Sequence, residues 1–201
     1  CKKEIENNFE AHKNKAEMSL DYLEHSTAKY KGKTIYSLYI PKIFNEESVK
    51  YLKYISETMV CIMRKVMEHY IADEDYRELF GFSSHLKELI LNVPKYTNLL
   101  PVARVDIFLN EDDGSFQFCE FNTDGSSAMN EDRELFLAFE RTQLYEALSQ
   151  DYDIEGFELF DSLVEAFGDI YKTYQYKKEN PTVGIVDFLE LGCSMEEFEQ
   201  F

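Results

Sequence analysis

Ala103-Arg-Val-Asp-Ile-Phe-Leu-Asn-Glu-Asp-Asp-Gly-Ser-Phe-Gln-Phe-Cys-Glu-Phe-Asn-Thr-Asp-Gly-Ser-Ser127 is the stretch whose reading decides the fold. Val102 to Leu109 and Ser115 to Asn122 are β-branched and aromatic runs, and Glu111 to Gly114 between them is turn chemistry. Asp112-Asp113-Gly114 suits a three-residue hairpin loop, with glycine in the left-handed position. Closing the loop there pairs Glu111 with Ser115. Counting back along both strands then pairs Asp106 with Glu120 and Arg104 with Asn122. Strand side chains alternate, so these four share one face, while Ala103, Val105, Ile107, Cys119 and Phe121 form an apolar layer on the other.

Two carboxylates opposite each other repel, and more strongly as water is excluded. The pair needs a proton, an arginine or a metal ion between its members. Asp106, Glu120 and the Asn122 amide are all oxygen donors, a set that suits Mg²⁺, an ion that keeps waters and shares its remaining positions with phosphate oxygens. Arg104 offers a donor fork for a phosphoryl or carboxylate oxygen. Thr123-Asp124-Gly125-Ser126-Ser127 follows at once, a small polar segment able to wrap an anionic ligand. The competing reading is a solvated sheet face followed by an ordinary turn before a helix near Asn130.

Outward from the hairpin, the pattern predicts mostly helices. Residues 2 to about 25 read as one helix, with Ile5, Phe9, Leu20 and Leu23 among charges. Residues 34 to 44 read as an extended segment or edge strand containing Pro41. Asn45 caps a helix to about Tyr70, with Val49, Leu52, Ile55, Met59, Ile62, Met63 and Val66 as its apolar positions. Short helices are expected near 74–80 and 83–92. After the hairpin come helices from Asn130 to about Ser149 and from Phe157 to about Tyr176, then a buried strand from Thr182 to Phe188 behind Asn180-Pro181. The fold class is α/β, organised as a helical N-terminal region (1–95), the hairpin and its helices (96–176) and a further α/β element (177–201).

Lys and Arg number 21 against 39 Asp and Glu, a formal charge of −18. That charge repels phosphate backbones and anionic lipid, so neither nucleic acid nor membrane is the expected partner; small ligands and metals fit better. Aromatic residues make up 15% of the chain, which sets it apart from acidic disordered tails. No apolar run is long enough to span a bilayer. Cys1, Cys61, Cys119 and Cys193 show no CxxC spacing, which points to a reducing cytoplasm, with Cys61 and Cys119 read as small core hydrophobes. His12, His25, His69 and His85 read as surface or half-buried helix residues, none at metal-ligand spacing. The chain begins without Met and stops inside an amphipathic pattern, and is expected to be a piece of a longer polypeptide.

An Arg-x-Asp strand followed by a strand ending in Glu-x-Asn, Thr, Asp and small hydroxyl residues resembles the metal-binding hairpin of the glutathionylspermidine synthase family and, more distantly, eukaryotic-type glutathione synthetases. Both are circularly permuted ATP-grasp ligases. The resemblance rests on Arg104, Asp106, Glu120, Asn122, Thr123 and Asp124, with Ser126 and Ser127 where the family places substrate-contacting hydroxyls. It implies a metal-binding antiparallel hairpin in a mixed sheet, with residues 177–201 opening a second α/β substrate domain of glutathione synthetase type. Mg²⁺ would be held by Asp106, Glu120 and Asn122, with Arg104 as the catalytic residue on the phosphoryl group. Thr123, Asp124, Ser126 and Ser127 would bind substrate. The partners implied are ATP with a small carboxylate and an amine.

Gly-Ser-Ser follows Asp124 where the synthetases carry a Thr or Pro-Thr turn, which leaves the acyl substrate open. The family's nucleotide-binding lysines are expected beyond Phe201, so the isolated chain is expected to be inactive. The rival expectation is a non-catalytic binding or scaffold domain that keeps the fold. A metal phosphohydrolase would need more His or Asp ligands than the hairpin supplies.

Overall fold

The computed structural model describes residues 1–30, 32–123 and 128–184. In chain order the elements are α1 (Lys2–Asn7), α2 (Phe9–His25), β1 (Lys29–Tyr30), β2 (Lys33–Thr34), α3 (Glu46–Ala72), α4 (Glu74–Glu78), α5 (Ser84–Leu91), β3 (Arg104–Leu109), β4 (Phe116–Asn122), α6 (Met129–Phe139), α7 (Gln143–Leu148) and α8 (Phe160–Lys172). The strands form two antiparallel pairs, β1 with β2 and β3 with β4. Among the described residues neither pair is joined by a further strand, so the expected mixed sheet is not seen there. No described helix is long and apolar enough to cross a membrane.

The chain divides into two compact units. The first contains Cys1–Ile43 and the described parts of Ser127–Val164 and Thr182–Phe201. Its α2 and α6 run antiparallel, pinned by a series of polar contacts. Ser19 donates to the Ala138 carbonyl at 2.8 Å, the Tyr22 hydroxyl to Glu134 Oε2 at 2.5 Å, and the Thr27 hydroxyl lies 3.1 Å from Asn130 Oδ1. Leu23, Ala28 and Ala138 are buried between these contacts, with Tyr22, Ile35 and Leu135 packed around them. Glu134 is itself buried, so its charge needs donors. Arg133 supplies a second one at 3.2 Å. Burial first, and the Glu134 contact second, hold the Tyr22 hydroxyl above its ordinary pKa.

Local side chains explain where helices stop. Asn8, at φ −127° and ψ 37°, interrupts the expected first helix, and its amide donates to Glu4 Oε1 at 2.8 Å. Thr142 splits the helix expected over 130–149, because its hydroxyl donates to the Phe139 carbonyl at 2.7 Å and accepts from the Tyr145 amide at 3.1 Å. It thereby ends one helix and caps the next. His12 departs from expectation: only 2% exposed, its Nδ1 lies 2.5 Å from the Tyr39 hydroxyl, and this contact ties the segment after β2 to α2.

The second unit contains the described part of Phe44–Ser126 together with Glu165–Pro181. Asn45 caps α3 as expected, accepting from the Ser48 amide at 2.8 Å. Glu46 and Glu47 lie in the first turn, where the helix dipole favours them. At the other end Arg77 donates to the Tyr70 and Ile71 carbonyls at 3.0 and 2.9 Å, satisfying acceptors the helix leaves open. Tyr70 is buried edge-on against Phe80. Of the expected apolar positions on α3 only Ile55 is buried, and Cys61 is exposed. Thr182, Val183 and Gly184 lie in no regular element, and the rest of the strand expected over 182–188 lies outside the described residues.

Removing the Tyr22 hydroxyl with Tyr22→Phe takes one donor from a buried carboxylate and is expected to destabilise the fold by about 1–3 kcal/mol, measured by urea unfolding. Gly156→Ala is expected to be destabilising as well, by about 1–3 kcal/mol. A Cβ there would sit 2.6 Å from Phe136 Cδ1, so the ring would have to leave its place. Unchanged midpoints would contradict either account.

Candidate functional site

The β3–β4 register places Arg104 opposite Asn122, Val105 opposite Phe121 and Asp106 opposite Glu120. The first and last of these are expected pairs, reached by a different route. The Asn110 amide donates to the Ser115 carbonyl at 2.8 Å and the Gly114 amide to the Asn110 carbonyl at 2.9 Å. The loop is therefore Glu111 to Gly114, and the expected Glu111–Ser115 pair is replaced by Asn110–Ser115. Gly114 takes φ +72°, where a Cβ would be strained. Asp113 braces the turn by accepting from the Ser115 amide at 2.8 Å and its hydroxyl at 2.6 Å.

That longer loop shifts the register near the turn by one residue, setting Leu109 opposite Phe116 and Ile107 opposite Phe118. A bulge restores it, because Cys119 falls between Phe118 and Glu120 with no partner position on β3. Two departures from the simple count cancel, and Asp106 meets Glu120. The bulge also overturns the reading of Cys119 as core: it is exposed. The apolar side is completed by Phe116, which meets Tyr51 of α3 edge-on at 6.2 Å between ring centroids.

On the polar side, Arg104 Nε donates to Asp106 Oδ1 at 2.8 Å and Nη2 to Asp106 Oδ2 at 3.2 Å. The same Nη2 lies 3.5 Å from Glu120 Oε1, which also accepts from Asn122 Nδ2 at 2.9 Å. Arg104 and Asp106 are about one-third exposed and Glu120 more so, at 36%, 34% and 57%. Hydrogen bonding to Arg104 holds the Asp106 carboxyl below the ordinary carboxylate range, and the same bond raises Arg104, since it favours the charged form of each. Strand alternation sets Phe108 on this side too. It is exposed, a neighbour the motif reading left out.

The structure thus brings together Arg104, Asp106, Glu120 and Asn122. Thr123 follows β4 and is exposed, whereas Asp124, Ser126 and Ser127 lie outside the described residues. Among the described residues no group of three or more His, Cys, Asp or Glu converges. As placed, the two carboxylates are met by Arg104 and by the Asn122 amide nitrogen. No family model matches the chain, and no curated protein or solved structure matches it.

A carboxylate whose folded pKa is depressed stabilises the fold above its unfolded pKa, about 3.9 for Asp, and loses that contribution as pH falls through the folded value. NMR titration of the Asp106 carboxyl carbon is expected to give a midpoint below that value, and Arg104→Gln should move it upward. A midpoint unchanged by the substitution would remove Arg104 as the cause.

Proposed function

We propose that Arg104 to Asn122 is the metal- and phosphate-holding hairpin of an ATP- and Mg²⁺-dependent carboxylate–amine ligase of the kind the glutathionylspermidine synthases represent. The observation that carries this reading is the placement of Asp106 directly opposite Glu120, with Arg104 and Asn122 beside them on the same side. In such a reaction the γ-phosphoryl of ATP passes to a carboxylate oxygen, and an amine then attacks the acyl carbon and expels phosphate to leave an amide. Asp106, Glu120 and the Asn122 amide oxygen hold Mg²⁺, which when bound offsets phosphate charge. Arg104 supplies donors to the transferring phosphoryl group. The role that the resemblance implies for Thr123, Asp124, Ser126 and Ser127 is to bind the acyl substrate. Exposed thiols at Cys1, Cys61 and Cys119 suit the reducing cytoplasm assigned to it.

A second reading, a binding or scaffold domain without catalysis, is favoured by one feature: Arg104 already neutralises the carboxylate pair from within the chain. Metal binding separates the two. Calorimetric titration of the 201-residue chain is expected to show weak Mg²⁺ binding that Glu120→Gln removes, with no phosphate released from ATP by the chain alone. Where the hairpin is joined to a nucleotide-binding region, Glu120→Gln is expected to abolish ATP-dependent amide formation with little change in melting temperature, since it deletes a ligand and a repulsion together. Full turnover by that variant would sink the ligase reading, and Mg²⁺ binding indifferent to it would sink the metal site.

A further inference from the structure

His12 lies buried in the first unit, and its two ring nitrogens have different surroundings. Nδ1 is 2.5 Å from the Tyr39 hydroxyl. Nε2 is buried with no hydrogen-bond partner, and Glu4 Oε1 stands 3.7 Å away, beyond hydrogen-bond reach. Tyr39 decides which nitrogen of the neutral ring carries the hydrogen. Burial first keeps its hydroxyl above the ordinary tyrosine pKa, with the Leu144 amide, bonded to its oxygen, working the other way. The hydroxyl therefore keeps its own hydrogen and directs it at Nδ1. On this hydrogen-bond network Nδ1 accepts, and the hydrogen of the neutral imidazole is assigned to Nε2. A buried N–H donor is thus left facing a carboxylate on the neighbouring helix.

The helices packed on this part of α2 are α1 and α7. On α1, Lys2, Lys3 and Glu6 are exposed and Glu4 is half-buried. On α7, Tyr145 packs against Phe136 and Phe139, and Glu146 is paired with Lys15, one turn beyond His12. In the segment after β2, Tyr36 and Lys42 are exposed and Tyr39 is turned inward. Among the described residues Glu4 is therefore the carboxylate that a charged His12 can gain. We propose that His12 is a pH-operated clasp: on protonation its ring gives up the acceptor that holds Tyr39 and makes Nε2–H an ion-paired donor to Glu4, so that acid tightens α1 on α2 and loosens residues 35–43. The added proton goes to Nδ1, which then donates, and the Tyr39 hydroxyl hydrogen loses its partner. At Nε2 the new charge draws in a carboxylate that the Asn8 amide already steadies at 2.8 Å, and the contact becomes charge-assisted. The loosened segment carries Tyr36 and Leu38 at the surface and runs to Ile43, where the first unit gives way to the second.

The test compares the 201-residue chain at about pH 8 and about pH 5, the range over which an imidazole changes charge. Nitrogen NMR follows the His12 ring, and amide hydrogen exchange, corrected for the intrinsic effect of pH, follows the backbone. At the higher pH the hydrogen is expected on Nε2 with Nδ1 bare; at the lower pH both nitrogens are expected to carry one. On acidification, protection should rise about threefold in α1 and fall about fivefold over residues 35–43. Glu4→Gln should abolish the gain in α1 and keep the loss over 35–43, whereas His12→Gln should abolish both. His25→Gln removes an exposed imidazole paired with Asp21 on the same helix and should change neither response. A hydrogen on Nδ1 at the higher pH, a ring still neutral at the lower, or responses that survive His12→Gln would overturn the clasp. The NMR readout uses the unmodified chain, so it decides the matter even where a variant fails to fold.

Discussion

Repulsion between Asp106 and Glu120 is the constraint around which the hairpin is arranged. Facing carboxylates on neighbouring strands weaken a sheet unless something positive lies between them. Here the arginine two residues before Asp106 provides it, on the same strand and the same face. The consequence is a cluster that is stable as it stands yet held by groups water can reach.

The same requirement recurs through a chain in which acidic residues outnumber basic ones by 39 to 21. Glu134, buried between α2 and α6, is held by the Tyr22 hydroxyl and by Arg133. Asp113 directs its charge at the amide and hydroxyl of Ser115, and Asp73 caps α4 through the Tyr76 amide. In each case the carboxylate fixes local geometry through a direct hydrogen bond, and in each the donor is close in sequence or brought in by a packed helix. Much of the remaining acidic charge stays at the surface, where water accommodates it.

Apolar burial is modest by comparison. In the first unit the fully buried large side chains are Leu23 and Leu144, and directional polar contacts set the alignment of α2 on α6. Hydrophobic contact alone tolerates sliding between helices, whereas Ser19, Tyr22 and Thr27 each demand a particular partner on α6. Specificity in this unit therefore rests on residues that a hydropathy profile scores as surface.

Several features were settled by the sequence alone because their causes are local. Asn45 caps α3 since its side chain needs only the amide three residues on, and Asp112-Asp113-Gly114 announces a turn since glycine is suited to its positive φ. The pairing of Asp106 with Glu120 was also legible, though a loop one residue longer and a bulge at Cys119 had to cancel for the count to hold. What only the tertiary structure decided depends on residues far apart in the chain. Alternation cannot foresee a bulge, so the exposure of Cys119 was misread. The burial of His12 depends on Tyr39, that of Glu134 on Tyr22, and the break at Thr142 follows from a hydroxyl that ends one helix while capping the next. Nor could spacing say which of proton, arginine or metal would stand between the two carboxylates. That choice belongs to side-chain geometry, and in this chain Arg104 occupies the place.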